Sequence, residues 1–269
     1  MSGSKLLIVN ADDFGFTPDV NDGILEAHRN GILTATTLMA GGAAFEHAVQ
    51  LARLNPSLDV GCHLTLIGGN SLAPPHKPLP VSVAQLVKSL MLRRIRVYDE
   101  LVAQVRRILD SGVSLTHLDT HKHTLMLPGV ATAVAQISRE FQIPWVRRPL
   151  AVPVAGPLIG IRLARRGCLM TDHFLGFRLT GKLDSAALVA LIRRLPEGSS
   201  ELMCHPGFLR AELRAARTRL KESRQRELEA LTSPAARQAL EEAGVRLVNY
   251  RSLSGEQSHA KTPSRKENS

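Results

Sequence analysis

The feature that most constrains the fold is a repeated alternation of short apolar runs with segments of helical spacing. The first run, residues 6–10 (LLIVN), ends at the polar sequence ADDFG and fits a strand that is buried on both faces. Strands are predicted at 6–10, 34–40, 58–66, 114–120 and 144–147, and helices at 19–30, 45–54, 83–92, 98–109 and 129–141. This alternation predicts an α/β fold with a largely parallel sheet. We expect a closed or partly closed barrel, with an open doubly wound sheet as the alternative.

The second half of the chain is less regular. A Gly- and Pro-rich loop is predicted at 66–80, and residues 151–170 are apolar and basic. The remaining predicted elements are helices at 185–195, 212–231 and 234–242 and strands at 201–205 and 245–249. With no internal repeat and no clear linker, we predict a single domain over 1–253. The polar, charged segment 254–269 is predicted to be a disordered tail.

Composition narrows the class of protein. The formal net charge is +10, but aromatic residues make up only 4% of the chain, which is poor material for stacking on single-stranded nucleic acid. We therefore expect no nucleic-acid partner, although a basic nucleic-acid-binding protein stays a formal alternative. The three cysteines are widely spaced and are expected to be reduced. No apolar run approaches the roughly 18 residues of a spanning helix, and no signal peptide is recognisable, so a cytoplasmic protein is predicted.

Several residues that carry chemistry follow predicted strands. They are Asp12, Asp13, His63, Asp119, His121, His123 and His205. In parallel α/β folds, sites assemble at the carboxyl ends of strands, so these distant segments are expected to meet. Each signal also has an ordinary explanation. An Asp pair after a strand often caps a turn or a helix, and a lone histidine is often structural.

The residue types suit metal-dependent hydrolysis. Two imidazoles and a carboxylate can hold a divalent cation, and a further carboxylate and histidine can move protons. If the strand before them continues, His121 and His123 share a face and Asp119 joins them, so periodicity leaves the ligand open among these residues. The sequence lacks a G-x-S-x-G elbow, a phosphate-binding P-loop and a dinucleotide fingerprint.

Five ordered blocks resemble the YdjC-type carbohydrate deacetylases. They are LLIVNADDFG at 6–15, GILTATTLMA at 31–40, GCHLTL at 61–66, THLDTHKH at 116–123 and MCHPG at 203–207. The resemblance implies a distorted TIM-type, (β/α) barrel-like fold similar to the polysaccharide deacetylases. It also implies hydrolysis of N-acetyl groups on glucosamine-type sugars.

The resemblance also implies roles for individual residues. Asp13, His63 and His121 are expected to bind one divalent ion, Mg²⁺ or Zn²⁺. Asp12 is expected to act as catalytic base, and His205 as general acid or transition-state stabiliser. The resemblance leaves His123 as a group that supports the metal ligands or contacts the substrate. Separately from the resemblance, we predict that His123 and Arg147 bind the substrate.

Among its relatives the chain looks closest to the branch associated with hopanoid biosynthesis. That branch implies an N-acetylglucosamine carried on a bacteriohopane polyol, a lipid-linked substrate. The segments 86–97 and 158–170 mix apolar and basic residues, so contact with the inner face of an anionic membrane is expected, with ordinary helix packing as the alternative. A deacetylase of soluble chito-oligosaccharides and a metal-dependent phosphoesterase on a similar barrel are the alternative functions.

Overall fold

The computed structural model describes residues 4–260. Its strands are β1 (Lys5–Phe14), β2 (Ala35–Leu38), β3 (Asp59–Leu64), β4 (His117–Thr120), β5 (Trp145–Val146), β6 (His173–Leu175), β7 (Gly198–Cys204) and β8 (Val245–Leu247). Its helices are α1 (Pro18–Asn30), α2 (Phe45–Leu54), α3 (Val83–Met91), α4 (Val97–Asp110), α5 (Pro128–Glu140), α6 (Ala155–Ala164), α7 (Ser185–Arg193), α8 (Ala211–Ala215), α9 (Glu222–Thr232), α10 (Pro234–Glu242) and α11 (Tyr250–Ala260).

The strands form a parallel half-barrel. Along the sheet the order is β5-β4-β3-β2-β1-β7-β6, and β8 pairs with the first residues of β1. The edge strand β5 makes a single parallel bridge from Trp145 to Leu169, and the chain runs from there into β6 at the opposite edge. The predicted barrel-like α/β fold, with its carboxyl strand ends on one side, is confirmed.

Alternate side chains of β1 face either the main apolar core or the side of the sheet that carries the site. Leu7, Val9 and Ala11 are buried in the main apolar core with the surrounding helices. Ile8 belongs instead to a smaller cluster with Trp145 and Tyr250 on the concave side of the sheet. Because strand side chains alternate, Asn10 and Asp12 continue the Ile8 face up to the carboxyl end of the strand.

Three local features differ from the sequence prediction. The single helix predicted at 212–231 is two helices, α8 and α9, because the backbone turns to an extended conformation at Ala216. The strand β6 was not predicted, since three residues carry no measurable period. The structure also places residues 254–260 in α11, where a disordered tail is predicted.

The start of that tail is held by contacts to the sheet. Ser254 Oγ accepts a hydrogen bond from the Trp145 indole at 2.8 Å, and Leu253 is buried. Residues 261–269 of the predicted tail lie outside the described residues. Among residues 4–260, no helix combines the length and the apolar character needed to cross a bilayer.

Candidate metal centre and active site

Asp12 and Asp13 reach the same mouth of the half-barrel because β1 is irregular there. The sequence pattern placed them after the first strand, whereas the structure places them inside it. The pairing of β1 with β2 shifts register between Ala11 and Phe14. Asp13 adopts a left-handed backbone with φ of 70°. Adjacent residues of a regular strand face opposite sides, whereas a bulge of this kind re-aims a side chain.

The side chains of Asp13, His63 and His121 converge. Asp13 Oδ1 lies 3.5 Å from His63 Nε2 and 3.4 Å from His121 Nδ1, and the two imidazole nitrogens are 3.2 Å apart. In a tetrahedral zinc site with bonds of about 2.1 Å, ligand atoms are about 3.4 Å apart. This donor set and its spacing therefore fit one divalent cation.

Asp119 orients His63 from the other side of the ring. Its Oδ1 lies 2.8 Å from His63 Nδ1, and its Oδ2 accepts a hydrogen bond from the Thr37 hydroxyl at 3.1 Å. A proton on Nδ1 leaves the Nε2 lone pair facing Asp13 and His121, as in the carboxylate–histidine–metal arrangement. Burial alone lowers the pKa of His63, but Asp119, with smaller contributions from Asp12 and Asp13, outweighs burial and raises that pKa to about 9.

Asp12 is held by Arg147. The guanidinium donates to both carboxylate oxygens, at 2.9 and 2.6 Å, and also contacts Asp119 at 2.7 Å and Glu201 at 2.7 Å. Burial would raise the pKa of Asp12, but Arg147 holds it well below its ordinary value. Asp12 is therefore ionised across the physiological range and fixed by a bidentate pair.

His205 approaches Asp12 from the loop after β7. Its Nε2 lies 3.9 Å from Asp12 Oδ2, its Nδ1 lies 3.9 Å from Glu227 Oε2, and its backbone N–H donates to that same oxygen. The next residues of the loop pack so closely on α1 that a Cβ on Gly23 would come within 2.5 Å of Gly207 Cα. The loop position thus depends on backbone contact.

His123 does not share a face with His121. The strand β4 ends at Thr120, and both Lys122 and His123 adopt left-handed backbones with φ of 52°. The strand ends at residue 120 as predicted, so the condition under which both histidines would share a face is not met, and this turn aims His123 elsewhere. Its ring packs edge-on against Phe177 at 4.9 Å and Phe174 at 5.9 Å. Burial lowers the pKa of His123 to about 3, so its imidazole is neutral near pH 7.

Four further side chains around the site were missed by sequence reasoning. They are Asn10, Glu201, Arg224 and Glu227. Asn10 donates to Asp12 at 3.2 Å, and Arg224 donates to Asp13 Oδ2. The period of β1 could have indicated Asn10. Arg224 lies in the basic run 210–226, and nothing in that run distinguishes it from its exposed neighbours.

All the residues of this site lie in a region of the chain that matches a known protein family. A family model described as YdjC-like protein matches residues 6–242, which include every residue named above from Asn10 to Glu227. The chain belongs to the YdjC-like family. Relatives of this YdjC-like chain include a carbohydrate deacetylase of Geobacillus stearothermophilus, 36% identical over 92% of this chain and 97% of the relative. A chitooligosaccharide deacetylase of Klebsiella pneumoniae is 36% identical over 93% of this chain and 99% of the relative.

A solved structure shares the fold of the YdjC-like chain. It is a protein from Enterococcus faecalis V583 named for cellobiose-phosphate cleavage. The two superimpose with a TM-score of 0.78 at 29% identity, over 93% of this chain and 99% of that one.

Proposed function

We propose that this protein is a metal-dependent hydrolase that removes the N-acetyl group from an amino sugar. The observation that carries the proposal is the triangle of Asp13, His63 and His121 donor atoms beside the Arg147-held carboxylate of Asp12. The names of the two deacetylase relatives support the reaction class. The distances among the donor atoms support a single divalent ion, zinc or magnesium, held by these three residues.

The cation supplies Lewis acidity, which polarises a carbonyl and acidifies water. The chain's own residues supply the proton transfers. Asp12, ionised and fixed by Arg147, accepts a proton from the water that attacks the acetyl carbon. His205, whose Nε2 lies 3.9 Å from Asp12 Oδ2, donates a proton to the nitrogen as the C–N bond breaks. The products are acetate and the protonated amine, and the proton that Asp12 accepted replaces the one that His205 gave, so atoms and charge balance.

Two residues expected to bind substrate receive different roles in this proposal. All three nitrogens of the Arg147 side chain already contact carboxylates, and the residue is buried. We therefore propose that Arg147 positions Asp12 and does not bind the substrate. His123 lies in the same mouth and makes no hydrogen bond with another described residue. Its neutral ring is free to hydrogen-bond a sugar hydroxyl or the acetamide.

Two substrates are compatible with this reaction, one soluble and one linked to a lipid. The named activity of the Klebsiella relative favours soluble chito-oligosaccharides. The resemblance to the hopanoid-associated branch favours an N-acetylglucosamine on a bacteriohopane polyol. The exposed residues Met91, Leu158 and Ile161 lie in the segments 86–97 and 158–170, which combine apolar and basic residues. Incubating metal-loaded protein separately with diacetylchitobiose and with a bacterial lipid extract, and measuring acetyl loss by mass spectrometry, decides between them.

Membrane contact is a separate proposal with its own test. Flotation with anionic liposomes at low salt is expected to carry the wild type to the lipid fraction, and the double variant Leu158→Glu with Ile161→Glu is expected to abolish this. A wild type that stays with the soluble fraction would remove the membrane contact while leaving the hydrolase proposal intact.

A phosphoesterase with a two-metal clamp is less well supported. The second cluster of candidate ligands, Asp12, His63 and Asp119, shares His63 with the first. Its two carboxylates already face Arg147, which supplies the positive charge there.

The deacetylase proposal is tested by acetate release from diacetylchitobiose. Asp12→Asn and His205→Ala are each expected to lower kcat by at least about 100-fold, the range for loss of general acid–base catalysis. Exposed Glu229→Gln is the control and is expected to match the wild type. Undiminished acetate release by either site variant would discard the role given to that residue.

A further inference from the structure

The helix α9 carries two buried charged residues one turn apart, and both face the site. Arg224 and Glu227 are each 1% exposed, whereas Arg226 and Glu229 on the opposite side of the helix are exposed. Burying single charges in a protein interior costs several kcal/mol unless each one is paired. The partners of these two residues therefore indicate why they are inside.

Arg224 is paired with Asp13. Its Nη2 donates to Oδ2 of Asp13, which leaves Oδ1 facing His63 and His121. The Nε and Nη1 atoms of Arg224 have no hydrogen-bond partner among the described residues, so Asp13 is the carboxylate to which its guanidinium is hydrogen-bonded. Asp13 also has a left-handed backbone, which a non-glycine residue adopts only when its surroundings hold it there.

Glu227 is paired with the loop that carries His205. One carboxylate oxygen accepts the backbone N–H of His205 and lies 3.9 Å from its Nδ1. The other accepts Gly181 N–H at 3.3 Å, which fixes the carboxylate. The Gly207 N–H donates to the carbonyl of Arg224 at 3.2 Å, so the same turn of α9 holds the loop at two points.

We propose that this one turn of α9 sets both halves of the active site: Arg224 positions the metal-binding carboxylate of Asp13, and Glu227 positions the imidazole of His205. Neither residue touches the substrate, and each acts through its partner. The inference rests on the proposed deacetylase function for the role of His205 and on the proposed metal site for the role of Asp13.

Metal affinity tests the Arg224 half without any turnover. Chelator-stripped full-length protein is titrated with Zn²⁺ in a calorimeter, as wild type, Arg224→Met and the matched control Arg226→Met. Loss of a residue that orients a metal ligand is expected to weaken zinc binding by about 10- to 100-fold, with the control equal to the wild type. Equal affinities for Arg224→Met and Arg226→Met would overturn this half.

Arg224→Met leaves a buried carboxylate without its partner, so circular dichroism is measured on each variant. If that variant does not fold, Arg224→Lys replaces it, because lysine keeps the charge but loses the guanidinium geometry. Weaker zinc binding by the folded lysine variant supports the proposal, and wild-type binding contradicts it.

Turnover of diacetylchitobiose tests the Glu227 half. Glu227→Gln keeps an oxygen that can accept the backbone N–H of His205 but removes the charge facing Nδ1. We expect kcat to fall by at least about 10-fold while KM and zinc affinity stay at wild-type values, with Glu229→Gln as the matched control. Equal kcat in the two glutamine variants would overturn this half.

Failure of the proposed function gives a different result. A wild type that binds no Zn²⁺ overturns both the metal site and the Arg224 proposal. A wild type that binds Zn²⁺ but releases no acetate overturns the proposed reaction and the Glu227 role, and the zinc titrations still decide Arg224.

Discussion

At the residue scale, His63 joins the metal triangle to the buried carboxylates beneath it. Its Nδ1 faces Asp119 and its Nε2 faces Asp13 and His121, so the ring has no nitrogen left for solvent. The carboxylate partner fixes the tautomer that a metal ligand requires. The same partner raises the pKa of the ring, which sets a competition between a proton and a cation at Nε2.

This competition predicts that Zn²⁺ binding strengthens with pH. Below the His63 pKa of about 9 the free ring carries two protons, and the one on Nε2 must leave before a cation can bind. Each unit of pH below 9 is therefore expected to weaken binding by about tenfold, with about one proton released for each ion bound. Calorimetry in buffers of different ionisation enthalpy, between pH 6.5 and 8.5, measures both quantities.

The matched variant is Asp119→Asn, which removes the carboxylate that contributes most to raising the pKa of His63. The zinc affinity of this variant is expected to stop rising at a lower pH than the zinc affinity of the wild type does. Affinity that stays flat from pH 6.5 to 8.5 in the wild type would contradict the position given to the proton.

Phe177 is expected to contact the sugar. Its ring is 47% exposed at the mouth, next to His123, and Phe174 and Arg147 continue the row toward Asp12. Phe177→Ala is expected to raise the KM for diacetylchitobiose by about 3- to 10-fold, the size of one lost aromatic contact, without changing kcat or zinc affinity. Leu158→Ala, an exposed apolar change on α6, is the control, and an unaltered KM for Phe177→Ala would remove the contact.

At the element scale, two backbone irregularities decide what the site contains. The bulge at Asp12 and Asp13 and the left-handed turn at Lys122 and His123 each change which way a side chain points. Sequence periods located these residues at the ends of strands but could not predict the irregularities, because no glycine marks them. The choice between His121 and His123 as a ligand came from family resemblance, and the backbone turn supplies its physical reason.

The contact between α1 and the His205 loop gives an element-scale prediction. Gly23→Ala places a methyl group against Gly207 backbone, which cannot move without moving the loop. We expect a loss of about 1–3 kcal/mol in the free energy of unfolding, as in other overpacked sites. A lower kcat for diacetylchitobiose is expected with it, because His205 is displaced.

The control for this prediction is Gly160→Ala on α6. A Cβ there meets no atom within 4 Å, so the change is expected to stabilise the helix by about 0.5–1 kcal/mol and leave kcat unchanged. Urea denaturation measures both variants. A Gly23→Ala protein as stable and active as Gly160→Ala would show that the close approach does not position the loop.

At the scale of the whole molecule, the parallel half-barrel and its mouth could be predicted from the alternation of apolar runs and helical spacing. The concave face could not, because its polar residues come from distant strands and pair only in three dimensions. Arg147 is an example: it ends a short predicted strand, yet it holds Asp12, Asp119 and Glu201 together. The net charge of +10 was equally uninformative about Arg224, which lies inside and not on the basic surface.

The central claim is that three separated segments of the chain hold one cation beside Asp12. Anomalous scattering from a crystal soaked with Zn²⁺ tests it most directly. We expect one strong peak per chain, with bonds of about 2.0–2.2 Å to Asp13 Oδ1, His63 Nε2 and His121 Nδ1. A peak bound elsewhere, or no peak at this triangle in zinc-saturated crystals, would contradict it.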